Sequence, residues 1–598
     1  MGLRGVESFP PPPAEDPGIR RLTLVDRLAV GFAGGQRRSG PLTVGQVNIH
    51  RWIVDERQYD HMISAPLPLL PGTTLDDIAL ALSTLITRHE SLRTTFDLSG
   101  ALTQRVVDSG ELAVDVYRED GAGTADEDLV EELYDRLRTA RFDPATDLPL
   151  RVAVLVEGDA PRLAAAVYSH IAVDLASVIL LDRQFLALLA DGADGADHEI
   201  EPRIHQPLDQ AAEEDSPTGR RRAEVVSRYW TNVLLSAPQC NFPLPSPDPA
   251  DEPGGATSGW LWSRAAALAL PHITARTNIG SSTAVLAALC AVLATRTEQP
   301  HYLMQILSSN RFERRLRDYV GTLAADGLMS LEVAAPGFDE LVLRTGSAVL
   351  KAGRYSPIDA AEKDRVIEDV MHRRGVSYGR YCTYNDATNA YAQRLAAPPV
   401  PGDLAAVAAA MSETRVWQRD WPSASELLGF RLLQKDDEFI LSVVVQDQVR
   451  TAPAEIESLL RGVERLLVAA AAGDVAMDRL AEVTGVAPMP RGPQWKMIDR
   501  CWVELPEALS LLQDALHSPL ARVFVGTDES GDTILEAYLP VDLAPTPWDA
   551  HKACLALLPG RSTAMAPHRY VICDRAPTDL DQLAGWRNQK VIASGDGR

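Results

Sequence analysis

"RLAAAVYSHIAVDLASVILL" occupies residues 162–181 and joins two different periodicities. Its first half, "RLAAAVYS", is a short apolar run of the kind that forms a buried strand, and "RVAVLV" (151–156) just before it is another. From Ala176 onward "ASVILLDRQFLALLADG" has helical spacing and ends at Gly192. The junction is therefore a loop at a strand end, and it holds His170 four residues before Asp174. A histidine there can take a proton near neutral pH, as a general base acting on an amine or hydroxyl requires. Asp174, if buried, needs a cationic or hydrogen-bonding partner. On these residues alone the two are either a base with its partner or a polar pair closing a buried strand.

Outward from this junction, helices and strands alternate. "TTLDDIALALSTLITRHESLRTTF" (73–96) predicts a helix with Ile78, Leu80, Leu82, Leu85 and Ile86 largely on one face and Thr74 or Asp76 as its cap. Further on, "SSTAVLAALCAVLATRT" predicts a buried helix, and "HYLMQILSS" and "EFILSVVVQDQ" predict strands. Such alternation is the mark of α/β packing. Polar, Gly- and Pro-rich breaks divide the 598 residues. Residues 1–20 read as a disordered lead-in, 189–219 as a linker, 243–259 as a long surface loop, and 483–494 as a further break. The expected domains are 21–200, 201–482 and 485–598.

Hydrophobic residues make up 46% and charged residues 23% of the chain, an ordinary globular composition. A formal net charge of −24 argues against nucleic acid or an anionic membrane as partner. No apolar run is long enough to cross a bilayer and the start lacks the apolar core of a signal peptide, so a cytoplasmic protein is expected. Cys240, Cys290, Cys382, Cys501, Cys554 and Cys573 show no CxxC pair and no histidines at ligand spacing, so they read as small core residues. Two further motifs have plainer explanations than chemistry. "GVSYG" (375–379) has a helix before Ser377 and a strand after it, the reverse of a hydrolase elbow, so Ser377 is expected in a turn. "GSST" (280–283) reads as a helix start and not a phosphate cradle, since no Gly-Lys-Ser/Thr follows.

Taken in order, "LTVGQVNIHRW" (42–52), "RHESLRTTF" (88–96), "RFDPATDLPLRVAVL" (141–155), "YSHIAVDLAS" (168–177), "STAVLAALCAVLATRT" and "SSNRFERRLRDYVGTLAADGLMSLEV" (308–333) resemble the motifs of nonribosomal peptide synthetase condensation domains. These belong to the chloramphenicol-acetyltransferase-like superfamily, and the resemblance covers about residues 40–480. It implies an α/β fold of two such lobes in a V with a central tunnel. It implies that His170 matches the second histidine of the family's His-His-x-x-x-Asp-Gly motif and is the catalytic base. Asp174 matches the motif's aspartate, and Arg311 the arginine that ion-pairs with it across the lobes. Two neighbours depart from the pattern: Ser169 stands at the first histidine and Leu175 at the glycine. Leucine resists backbone conformations that glycine permits. The family's Asn-Thr after Val-Gly reads Ala325-Asp326 here.

What the resemblance implies about function is an acyltransferase of nonribosomal peptide or hybrid natural-product biosynthesis. It would join a carrier-protein-bound acyl or aminoacyl thioester to an amine or hydroxyl. Its partners would be acyl or peptidyl carrier proteins met in trans, presenting substrates on phosphopantetheine arms, with no cofactor, metal or nucleotide of its own. A catalytically silent platform recruiting carrier proteins or tailoring enzymes, and an O-acyltransferase of the same superfamily, are the alternatives. The segment 503–578 resembles the small α+β C-terminal subdomain of adenylation domains. Leu583 stands near the position of that subdomain's catalytic lysine, and no adenylation core precedes it, which implies a packing or docking role.

Overall fold

The computed structural model describes residues 22–33, 36–55, 62–121, 124–139, 141–191, 204–244, 255–379, 382–388, 401–421, 427–435, 438–446 and 451–597. The expected disordered lead-in lies outside them. By packing, the chain forms two compact units that are not consecutive blocks. The first comprises residues up to 225 together with 308–325 and 357–360, and the second comprises 226–307, 326–356 and 361–598.

The first unit is built on a five-stranded sheet in the order Leu22–Phe32, Gly110–Glu119, Leu150–Glu157, Ala160–Ser169, Met62–Pro66. The two central strands are apolar in succession because both faces are covered. Val152, Val154, Ala164, Ala166 and Tyr168 pack in one cluster with residues of helices Leu75–Arg88 and Leu175–Asp191. Ala153, Leu155, Ala165 and Val167 pack in another with Leu129, Leu133 and Leu137 of helix Asp126–Arg138.

Helix Leu75–Arg88 starts at Thr74, whose hydroxyl accepts from the Asp77 amide while the Asp77 carboxylate accepts from the Thr74 amide. Ile78, Leu82, Leu85 and Ile86 are buried as expected, but Leu80 is 41% exposed, and Ala81 takes the buried place beside Leu82. The polar stretch expected as a linker includes helix Pro207–Glu214. Its Leu208 and Ala211 are buried and Gln206 caps it, a pattern too short to stand out from its charged flanks. Residues 192–203 of that stretch, including the expected helix end at Gly192, lie outside the described residues. The expected loop 243–259 likewise gives way at Ala256 to strand Ala256–Ser263. There Gly259 faces a helix: a Cβ on it would sit 2.4 Å from Ile456 Cγ2.

A seven-stranded sheet organises the second unit, in the order Ala325–Glu332, His301–Ser308, Cys382–Asp386, Leu428–Lys435, Glu438–Val445, Ala256–Ser263, Arg415–Trp421. Helix Ser281–Thr297 is buried without a break from Ala284 to Leu293. Gly280 precedes it with no side-chain cap, and Ser377 is buried in the irregular stretch after helix Ala360–Arg374. In the tail, strands Arg522–Thr527, Thr533–Pro540, Arg569–Cys573 and Val591–Gly595 form a sheet against helices Leu505–Ala515 and Pro547–Leu557. A hairpin, Trp495–Ile498 with Cys501–Glu504, turns through Asp499 and Arg500, both in left-handed backbone as a tight hairpin turn demands. Leu583 begins the short helix Leu583–Arg587 and packs against the cluster of Tyr538, Val571 and Trp586. All six cysteines are buried thiols. Among the described residues no single helix is long and apolar enough to cross a membrane.

Candidate functional site

The site grows from the end of strand Ala160–Ser169 in the first unit. Ser169, half-buried, is the strand's last residue, paired with Met62. Its amide donates to the Pro149 carbonyl at 3.0 Å, and its own carbonyl accepts from the amides of Ala172 and Val173 at 3.0 and 3.3 Å. The chain thus folds back at once, within a turn whose residues Ile171, Ala172 and Val173 are buried.

His170 is 7% exposed, with the Trp52 indole set edge-on at 5.9 Å between ring centroids. Its Nδ1 lies 3.0 Å from the Val173 carbonyl oxygen. A carbonyl only accepts, so Nδ1 holds the proton in the neutral ring and Nε2 keeps its lone pair. Burial pushes the imidazole below its ordinary pKa, although its own and Val173's backbone groups and the Asp174 carboxylate pull the other way. The arrangement is that of a neutral imidazole with one nitrogen fixed and the other available to accept a proton.

Asp174 does a different job. Its backbone carbonyl accepts from Val178 and its Oδ1 accepts from the Ser177 amide at 2.9 Å, so it caps helix Leu175–Asp191. The carboxylate, 1% exposed, also takes both Nη groups of Arg311, at 2.7 Å on Oδ1 and 2.9 Å on Oδ2. Oδ2 accepts in addition from the amides of Leu323 and Ala324, each at 2.9 Å. Burial alone would raise this carboxyl. Arg311 and the N–H groups outweigh it and hold the group below the usual carboxylate range. Ser177 ties the pair further: its Oγ is 2.9 Å from Asp174 Oδ1, accepts from Arg311 Nη2 at 2.8 Å and accepts from the Gly321 amide at 3.0 Å.

His170 and Asp174 share one turn, and Arg311, 137 residues beyond Asp174, is brought to it. Arg311 belongs to the excursion 308–325, which packs with the first unit, so the ion pair lies inside one compact unit. Leu175 opens the helix in ordinary right-handed backbone. Leucine at the glycine position therefore meets no left-handed strain. Arg315 and Arg222 of the basic surroundings pair with Glu313 instead of joining the site. Sequence reasoning missed Ser177 and Thr322. The first was legible in principle, because Asp-x-x-Ser is a capping spacing. The second hydroxyl donates to the carbonyl of His170 at 2.7 Å, a contact with no periodic signature.

The family model "Condensation domain" matches residues 53–360. The isonitrile lipopeptide synthase of Mycobacterium tuberculosis (strain ATCC 25618 / H37Rv) is 25% identical over 336 residues, covering 53% of this chain and 13% of that protein. The chain thus spans a small part of the length of that relative. Among solved structures, one concerns condensation domain-mediated chain release from the enacyloxin polyketide synthase. It superposes with a TM-score of 0.51 at 20% identity, over 76% of this chain and 84% of that one. The X-domain from teicoplanin biosynthesis, in its complex with OxyB, gives a TM-score of 0.51 at 19% identity over 77% and 99%. At such identities the structural likeness speaks for the fold.

Proposed function

This chain belongs to the condensation-domain family of nonribosomal peptide synthetases, and from that premise we propose that it is an acyltransferase joining a carrier-bound acyl thioester to an amine or hydroxyl acceptor. The observation that supports this most is the His170 ring, whose Nδ1–H is committed to Val173 and whose Nε2 is left to accept a proton. In the reaction, Nε2 takes the proton of the acceptor's N–H or O–H as the heteroatom attacks the thioester carbonyl. The new C–N or C–O bond forms, the C–S bond breaks, and the departing thiolate of the phosphopantetheine arm recovers the proton from Nε2. Asp174 and Arg311 touch no reacting atom in this scheme; they fix the loop that presents the ring. Carrier proteins deliver the substrates, and the chain contributes no cofactor of its own.

The test is intact-mass detection of carrier-bound product with the parent and with His170→Ala. The variant should fold normally and lose about 10²–10⁴-fold in rate. Amine acceptors, with an α-amine pKa near 8, should suffer less than hydroxyl acceptors, whose proton is harder to remove. Full turnover by His170→Ala would overturn the role of base. A second reading, a catalytically silent platform, draws on Ser169 in the first histidine's place and on the likeness to an X-domain solved in complex with OxyB. Equal silence of parent and variant with every cognate carrier pair would favour it.

A further inference from the structure

Thr322 lies in the excursion 308–325 and is fully buried. Its Oγ1 is 2.7 Å from the His170 carbonyl oxygen and 3.2 Å from that of Ile171. A hydroxyl has one proton, so the shorter contact, to His170, takes it. The next two residues, Leu323 and Ala324, donate their amides to Asp174. Residues 322–324 therefore form a short rail that grips the 170–174 turn at both ends, one grip on His170 and one on Asp174.

The rail is itself held from behind. Helix Val44–Asp55 runs so close to it that a Cβ on Gly45 would stand 2.2 Å from the Thr322 carbonyl oxygen and 2.9 Å from its carbonyl carbon. Both atoms are backbone and have no rotamer into which to retreat. Gly45 is thus the residue that lets the helix seat Thr322 against the turn. We propose that Thr322, backed by Gly45, is a positioning residue that sets the main chain of His170 and so the direction in which Nε2 points. The catalytic consequence rests on His170 being the base.

Two substitutions separate positioning from plain packing. Thr322→Val keeps the shape and removes the O–H; Thr322→Ser keeps the O–H and drops a methyl. Thr322→Val should lower kcat about 10- to 100-fold with KM nearly unchanged, since small misplacements of a reacting group cost rates of that order. It should also move the acid limb of kcat to higher pH as water reaches a loosened ring, while Thr322→Ser stays near the parent. In 15N spectra of the imidazoles, the parent's His170 should report a single Nδ1–H tautomer and Thr322→Val a mixture. Parent-like kcat, acid limb and tautomer in Thr322→Val would overturn the proposal. Were Thr322→Val too unstable to assay, Thr322→Ala deletes the same bond without pressing a methyl on a carbonyl. His170→Ala assayed alongside keeps the two readings apart. If it retained turnover the base role would fall, and the tautomer signal of the Thr322 variants would decide the positioning role by itself.

Discussion

Asp174 and Arg311, 137 residues apart in sequence, meet through two N–H···O bonds of 2.7 and 2.9 Å with the carboxylate 1% and the guanidinium 10% exposed. Removing one member of a buried pair leaves the other charged and unsolvated. Asp174→Ala should therefore destabilise the chain by about 3–5 kcal/mol, with Asp174→Asn falling between it and the parent because it keeps the helix cap. The carboxyl is held below its ordinary pKa, so its stabilisation is full above the unfolded value. It is lost as pH falls through the lower folded one. Urea unfolding from neutral to acid pH of the parent, Asp174→Ala and Asp174→Asn checks both statements. A variant as stable as the parent would deny the pair its structural weight.

That pairing was within reach of the sequence only through its resemblance to condensation domains, which implies it. His170 and Asp174 sit where a continuous apolar run gives way to helical spacing, and Arg311 stands before Val320-Gly321 at the distance the family's motif has. The central strands were legible because burial on both faces makes them apolar throughout. What stayed hidden has physical causes. Helix Pro207–Glu214 buries only one short apolar face, Leu208 and Ala211 among charged residues, so its composition resembles a linker. Leu175 looked costly at a glycine position until the backbone proved to be the ordinary first turn of a helix. Thr322 acts through a main-chain carbonyl, and no pattern of side chains records that.

Arg374 is the corresponding anchor of the tail. Its side chain, 6% exposed, gives Nε to Asp499 Oδ2 at 2.7 Å, Nη2 to the Asp499 carbonyl at 2.7 Å and Nη1 to the carbonyls of Leu234 and Ala237. It thereby joins the end of helix Ala360–Arg374 to the left-handed turn of the tail hairpin. Arg374→Ala removes these donors, leaving the Tyr378 hydroxyl to serve one of the Leu234 and Ala237 carbonyls, and should cost about 1–3 kcal/mol. Limited proteolysis should then cut within 485–598 sooner than in the parent. Unchanged cleavage would mean that the tail does not depend on this anchor.

His89 predicts a pH dependence of stability that has nothing to do with the site chemistry. It is fully buried, its Nε2 donates to Gln184 Oε1 at 2.7 Å, and burial pushes its pKa down to about 4. A group whose folded pKa is lowered stabilises the fold above its unfolded value, near 6.5, and this is lost as pH falls toward the folded one. Between pH 7 and pH 5 the loss from His89 alone should be about 2 kcal/mol. Comparing urea unfolding at the two pH values for the parent and His89→Gln isolates it, because glutamine cannot be protonated. An equal pH effect in both chains would show that the buried ring carries no such penalty.

The acid side of turnover should follow the protonation of His170. The ring is depressed by burial in the same direction as His89, so Nε2 should be protonated only at a lower pH than an ordinary histidine. With a carrier-bound donor saturating, the acid limb of kcat should have its midpoint below 6.5, as protonation fills the lone pair that accepts the acceptor's proton. An amine acceptor adds a second requirement of its own: below its pKa near 8 it is progressively protonated and cannot attack. The two effects are separable by the acceptor, because a hydroxyl acceptor has no such limb and reports the enzyme's base alone. A hydroxyl-acceptor profile with its acid limb at or above 6.5 would place the titrating base in solvent, contrary to the burial of His170.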